Sequence, residues 1–467
     1  MERKLTIREK YIGDRAFYRR LLSIMLPVLI QNVITNFVSL LDNIMVGRIG
    51  TESMSGVAII NQLLFVFNLC IFGGLSGAGI FTAQFFGRMD QEGVRHTMRL
   101  KHFIAAFAVL LFGTSFLLFG DPLIGLFLHE GEAGLDLQAT LGYGQQYLKV
   151  MLIQMIPFAV MQVYASTLRE CGQTLVPMKA GLAAIFINLA LNYILIFGKL
   201  GFPAMGVVGA AVATVIARFI ECAIVVIWTH THSAEHPYIK GLYRSWKVPV
   251  PLLKRVAVKG APLLANEVLW ASGMTTLNQC YSVRGLEVVS AINISSTVSN
   301  LFFCAFFATG STIAIMIGQL LGAGELERAV DEDRKLIAFA LALSTVVGTV
   351  MVLCAPWIPN LYNTQETVRH MATQFLTTVA LLMPAQAFTN GSYFTLRSGG
   401  KTLITFLFDS AFVWTVLVPV AMILIHLTNL PILTVFITVQ CMELIKVTIG
   451  IILLKRKTWV NNLVDSI

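Results

Sequence analysis

The chain has 467 residues, 56% hydrophobic and 13% charged, with a mean hydropathy of +0.75. A soluble domain carries about twice that charge, so composition excludes an ordinary cytosolic protein and points to an all-α polytopic membrane protein. The net charge of +9 is spread over short loops and the termini, which fits membrane topology and argues against a nucleic-acid partner.

The first residues are rich in Arg and Lys and enter the first apolar block without a small-residue cleavage pattern, so no signal peptide is expected. Twelve spans are predicted near 21–46, 54–82, 103–120, 144–166, 180–198, 206–229, 256–282, 287–317, 336–356, 371–395, 403–426 and 431–454. Of the 34 Lys and Arg, 27 fall at the termini or in loops on their side, counting Lys259 at the start of the seventh span with the loop before it. Four (Arg48, Lys199, Arg284, Arg369) fall on the other side, and three (Lys149, Arg218, Lys446) inside spans. The positive-inside rule therefore places both termini in the cytoplasm.

Asp42 is the only ionisable residue between Leu21 and Gly47. It lies about 31 Å along an ideal helix from Leu21, in the outer part of the span. An intramembrane carboxylate is a functional-site hypothesis by default. Two readings stand: a proton or Na⁺ site, which makes Asp42 a metal candidate, or an interfacial acid paired with Arg48. Gln31, Asn32, Asn36 and Asn43 share its helix and need a neighbouring helix or a wet cavity.

The second span contains GGLSGAG at 73–79, a weak match to the GxSG of an intramembrane serine protease; the catalytic partner would be a His inside a span, and His102 sits at a cytoplasmic edge, so close helix packing through small residues is the better account. In the fifth span Asn188 and Asn192 are one turn apart on one face, suited either to ligating Na⁺ and hydrogen-bonding Asp42, or to amide bonding between helices. Arg218 with Glu221, and Glu443 with Lys446, are i,i+3 pairs that neutralise each other. The segment THTHSAEH at 229–236 opens a polar linker, and its histidines are read as loop residues rather than a metal site. In the seventh span Glu267, beside Asn266 and followed by Trp270, is either a hydrogen-bonded packing acid or a proton carrier. Asp409, near the cytoplasmic end of the eleventh span, reads as an interface or structural acid. The seven cysteines, mostly in apolar segments and with no CxxC, read as packing residues. The 18 Met and 31 Phe suit an adaptable apolar cavity only slightly more than any lipid-facing bundle.

An internal repeat organises these spans. Pro27 and Pro262, Gly50 and Gly285, Gln84 and Gln319, and Gly87 and Gly322 are all 235 apart. LRECGQT at 168–174 returns as LRSGGKT at 396–402, an offset of 228. A six-span unit inserts twice in one orientation, giving two parallel bundles with a binding site between or within them. The expected division is 1–235, a linker at 236–255, and 256–467. This is the architecture of an alternating-access transporter, not an enzyme.

At these residues the sequence resembles the multidrug and toxic compound extrusion family. The likeness rests on the first-span P-x₁₄-D-x₄-G ending in VGRIG, the QFFGRMDQEG and GQLLGAGELERA loops, the paired LRECGQT and LRSGGKT, and ALNYILIFGKLGFPAMGVVGAAVAT at 190–214. The resemblance implies two six-helix lobes forming a V, and antiport of hydrophobic, cationic drugs against Na⁺ or H⁺. No cofactor other than the coupling ion is implied. The protein would act as a monomer in a bacterial inner membrane, with small-molecule drugs and membrane lipid as its partners. Asp42 matches the family's first-span acid, Asn188 its fifth-span Asn, and Glu267 the seventh-span acid of other members. Asn192 stands where some members have a second acid. Gln31, Asn32, Asn36, Asn266 and Trp270 are the expected cavity residues. A lipid-linked-precursor flippase of the same broad fold is the alternative, and an intramembrane hydrolase a weaker one.

Overall fold

A computed structural model describes residues 7–127, 136–362 and 364–465, without the side chains of 7, 8, 39, 40, 42–44, 47 and 51. After a short helical turn at Ile7–Tyr11, twelve long helices follow among the described residues. They are α1 (Arg15–Gly47), α2 (Thr51–Gly87), α3 (Gln91–Gly125), α4 (Leu137–Glu170), α5 (Leu175–Phe197) and α6 (Gly206–Thr231). The second half adds α7 (Val250–Ser282), α8 (Leu286–Gly322), α9 (Leu326–Cys354), α10 (Glu366–Ser398), α11 (Thr402–Leu427) and α12 (Ile432–Lys455). Ten are long and apolar enough to cross a membrane; α7 and α10 are the two that fall short of that apolarity, although each has 33 residues. They are also the helices that carry Glu267 and Arg397.

Lipid offers no hydrogen-bond partner, so the backbone must satisfy itself, and helices do so locally. Hydroxyls follow the same rule. Thr345 and Thr349 each donate to the carbonyl four residues back, at 2.8 Å, and so does Thr297. At the water-facing ends, Asp90 caps α3 by accepting from Gly93 N at 2.8 Å. Asp136 caps α4 through Gln138 N and Ala139 N, both at 3.0 Å. Most helices outrun the apolar windows that mark them in sequence, continuing into capped or polar turns.

The chain divides into two compact units, one of residues 1–29, 83–89 and 255–467 and the other of 30–82 and 90–254. In the first, α10 is central and packs on α8, α9 and α12; in the second, α4 packs on α3 and α6 and α5 packs on α6. The pairs α9–α10 and α10–α12 thus repeat α3–α4 and α4–α6 at equivalent places. The first unit's core includes Phe375, Leu376, Met383 and Val435, together with Leu21, Ile24 and Met25 of α1 against Ile313 and Leu320 of α8. Phe67, with its ring 5.7 Å from Phe112 and 5.9 Å from Phe158, anchors the other core. Residues 83–89 join the first unit through Gln84, whose amide donates to Ser398 O at 3.0 Å and accepts from Leu463 N at 2.7 Å.

α11 departs from α geometry. Leu407–Ala411 and Val413–Leu417 are π-helical turns, a form that concentrates at functional sites. The wider turn presents Asp409 and Ser410 together toward α7.

Candidate functional site

A buried polar cluster in the 255–467 unit lies where α7, α10, α11 and α12 meet. Asn266, 3% exposed, is its hub. Its Nδ2 donates to Asp409 Oδ2 at 3.2 Å and to Tyr393 Oη at 3.4 Å. Its Oδ1 accepts from Ser410 Oγ at 2.6 Å and Ser410 N at 3.3 Å. Trp414 Nε1 donates to Leu269 O at 2.8 Å and pins the π segment to α7 one turn further on. Lys446 on α12 reaches Asp409 Oδ1 and Glu443 Oε2, both at 3.2 Å, and lies over the rings of Phe408 and Phe412. Glu267 is half-buried, with Arg397 and Asp409 as its charged neighbours.

The expected Glu443–Lys446 pair is therefore present, but it does not close on itself. The ammonium also holds Asp409, so Asp409 belongs to this cluster. Sequence reasoning missed this because Asp409 and Lys446 lie on different helices, and no periodicity connects them.

The other unit has a sparser counterpart. Arg218 Nη1 and Glu221 Oε2 form the predicted pair at 2.7 Å. Gly181 lies against both α1 and α6: a Cβ there would stand 2.7 Å from Gln31 Nε2 and 3.5 Å from Glu221 Oε1. By the repeat offsets, Gln31 corresponds to Asn266, Gly181 to Asp409 and Arg218 to Lys446. The two networks occupy equivalent places, but only the 255–467 network carries an acid on its fifth helix of the repeat.

Among the other predicted residues, Asn188 and Asn192 are buried. Asn192 Nδ2 donates to Asn188 Oδ1 and Asn188 Nδ2 to Thr214 Oγ1, both at 3.2 Å. Gln31 and Asn32 are half-buried and Asn36 is exposed, while Trp270 is 37% exposed. Asp42 lies within α1, but its side chain, and with it the predicted Na⁺ site, falls outside the described residues. A cavity of about 590 Å³ between α3 and α4, lined by His102, Phe103, Trp246 and aliphatic residues, includes none of the predicted site residues.

The weaker motifs have local explanations. Ser76 Oγ donates to Gly73 O at 2.7 Å inside its own helix. The histidines of 229–236 turn to different aromatic partners: His230, in the last turn of α6 rather than in a loop, has Nε2 2.9 Å from Tyr164 Oη, and His232 stacks on Trp228. Among the described residues no three His, Cys, Asp or Glu side chains group as metal ligands. Two buried contacts escaped sequence reading altogether, the Lys101–Glu170 ion pair and the Thr395–Asp333 hydrogen bond. Lys101, Glu170 and Asp333 lie in helical turns beyond the predicted spans, where charge reads as loop.

The MatE family model matches residues 27–194 and again 262–423. The chain belongs to the MatE family. The two MatE matches begin at Pro27 and Pro262, the residues that open the sequence repeat. Among curated relatives, a Thermotoga maritima protein named "Probable multidrug resistance protein NorM" is 26% identical over 417 residues, 89% of this chain and 87% of that protein. A protein of the same name from Bacillus subtilis is 25% identical over 77% of both chains. Among solved MATE structures, one described as the outward-facing conformation of a multidrug resistance MATE family transporter has a TM-score of 0.85 at 19% identity, covering 98% of this chain and 99% of that one. The Vibrio cholerae MATE transporter VcmN in its bent form has a TM-score of 0.80 at 20% identity, covering 95% of this chain and 97% of that one. At this identity they establish a shared MATE fold.

Proposed function

We propose that this chain exports hydrophobic, cationic drugs and toxic organic compounds across a bacterial inner membrane, by alternating access coupled to Na⁺ or H⁺. The observation that carries the reading is the buried network around Asn266, Asp409 and Lys446 in a MatE-family helix bundle. Ionised groups held at membrane depth are costly and are suited to exchanging cations. The names of the relatives, multidrug resistance proteins, support drugs as the exported class.

In this reading Asp42, with Asn188 and Asn192, and separately Glu267, exchange the coupling ion. Gln31, Asn32, Asn36, Asn266 and Trp270 face substrate. The lobes 1–235 and 256–467 act as a monomer around the 236–255 linker, with both termini cytoplasmic. An ion entering from outside neutralises a carboxylate and displaces the cationic drug. Each elementary charge crossing carries about 2.3 kcal/mol per 100 mV. The pairing of Arg218 and Lys446 with carboxylates weighs against a flippase that must present free cations to a pyrophosphate.

Ethidium efflux under an imposed Na⁺ gradient or pH gradient tests this, with wild type beside Asp42→Asn and Glu267→Gln. Loss of gradient-driven efflux in a normally expressed variant supports its carboxylate as a coupling site, and the effective gradient names the ion. Wild-type efflux by both variants overturns the site assignment, and no transport by wild type overturns drug export.

A further inference from the structure

The Asp409–Lys446 contact has a consequence for how cations bind in the 255–467 unit; it deepens the export reading and rests on it. The groups facing Lys446 are Glu443 on its own helix and Asp409 from α11, backed by Asn266 and Glu267 from α7 and by Tyr393 and Arg397 from α10. Glu267, Asp409 and Glu443 are three carboxylates set against two fixed cations, Lys446 and Arg397. The Lys446 side chain is 8% exposed, against 22% for Asp409 and 16% for Glu443, so the ammonium occupies the space a cation would take on Asp409.

We propose that Lys446 is a tethered competitor for cations at Asp409: a proton, an alkali ion or an organic cation takes Asp409 as the ammonium withdraws to Glu443. The geometry makes the exchange short. The ammonium contacts both carboxylates at once and needs only to relinquish one, while the rings of Phe408 and Phe412 flank it throughout. Asn266, fixed by Ser410, keeps the second oxygen of Asp409 in place while the first changes partner. Lys446 is thus a specificity-determining residue, setting how strongly a cation must bind in order to enter.

The test is equilibrium binding to purified full-length protein in detergent, without any gradient. The probes are tetraphenylphosphonium, Na⁺ at alkaline and acid pH, and the neutral dye N-phenylnaphthylamine. Lys446→Met is expected to bind both cations about tenfold more tightly. Acid pH should weaken that binding by proton competition, and the neutral dye should bind as before. The double variant Asp409→Asn/Lys446→Met, which removes one charge of each sign, is expected to lose the gain.

Unchanged cation affinity in Lys446→Met overturns the proposal, as does an equal gain for the neutral dye, which marks general loosening of the bundle. Should Lys446→Met fail to fold, Asp409→Asn carries the test in reverse. Cation affinity then falls about tenfold with dye binding retained, and an unchanged cation affinity overturns the proposal. Binding of this pattern without efflux by wild type would overturn export alone, whereas efflux without the pattern would overturn only the role of Lys446.

Discussion

Gly87 lies so close to Gln319 that a Cβ on it would stand 1.9 Å from the Gln319 carbonyl oxygen. Gly322 returns the contact to the Gln84 carbonyl at the same 1.9 Å. Each glycine and each glutamine is the repeat counterpart of the other, 235 residues on. The two copies of Q-x-x-G therefore cross backbone to backbone, and only hydrogen fits between them.

A methyl group at either position must push the helix ends apart. Gly87→Ala and Gly322→Ala are each expected to destabilise the protein by about 1–3 kcal/mol, seen as a lower unfolding temperature in detergent. Because both substitutions force the same separation, the double variant should cost less than the sum. Strict additivity would show that the two contacts yield independently.

Lys101 is fully buried, with its ammonium on Glu170, Ser166 and Thr167. Lys101→Met leaves Glu170 without its cation and is expected to cost about 3–5 kcal/mol. Replacing both residues by Met should recover most of that loss, as measured by denaturant or thermal unfolding. A single variant as stable as wild type would mean that the remaining neighbours of Glu170, Arg169 among them, suffice to hold it.

His236 in the linker is 3% exposed, and neither ring nitrogen has a hydrogen-bond partner among the described residues. Burial holds its pKa below the ordinary histidine range; Glu235 opposes the shift and His232 adds to it. An unfolded histidine titrates near about 6.5. Above that the ring is neutral in both states and pH has no effect through it. Below it the unfolded chain takes up a proton that the folded site refuses, so stability falls with the pH. His236→Phe should flatten this acid slope and raise stability by about 1 kcal/mol, read from unfolding temperatures across the acid range. An unchanged slope would assign the acid sensitivity to other groups.

Asn266 holds Asp409, Ser410 and Tyr393 by one amide. Asn266→Leu preserves approximate volume and removes the amide's bonds to Asp409 Oδ2, Tyr393 and Ser410, while Asp409 keeps Lys446 and the Ser410 hydroxyl keeps the main-chain carbonyl of residue 266, at about 1–3 kcal/mol for each buried group left unpaired. It should lower the unfolding temperature and also abolish ethidium efflux. Efflux at the wild-type rate in a destabilised variant would make Asn266 a purely structural residue.

Much of this architecture was legible in the residues. The Pro27–Pro262 and Gln84–Gln319 offsets announced a repeat, and the MatE matches start at the same prolines. Arg218 with Glu221, and Glu443 with Lys446, were readable because i,i+3 neighbours on a helix must meet. Lys101, Glu170 and Asp333 were not readable. Their apolar windows end a turn or more before their helices do, and a charge beyond the window looks solvated.

The sequence by itself determined the helical class, the repeat and a twelve-span reading. Lipid acts on every residue by one local rule, that apolar side chains face it and backbone groups bond within their own helix. Only the tertiary structure decided that Asp409 meets Lys446, 37 positions on, and Asn266, 143 positions back. Such pairings depend on which helix faces pack and on π turns that redirect two side chains at once, and both are set by contacts across the bundle.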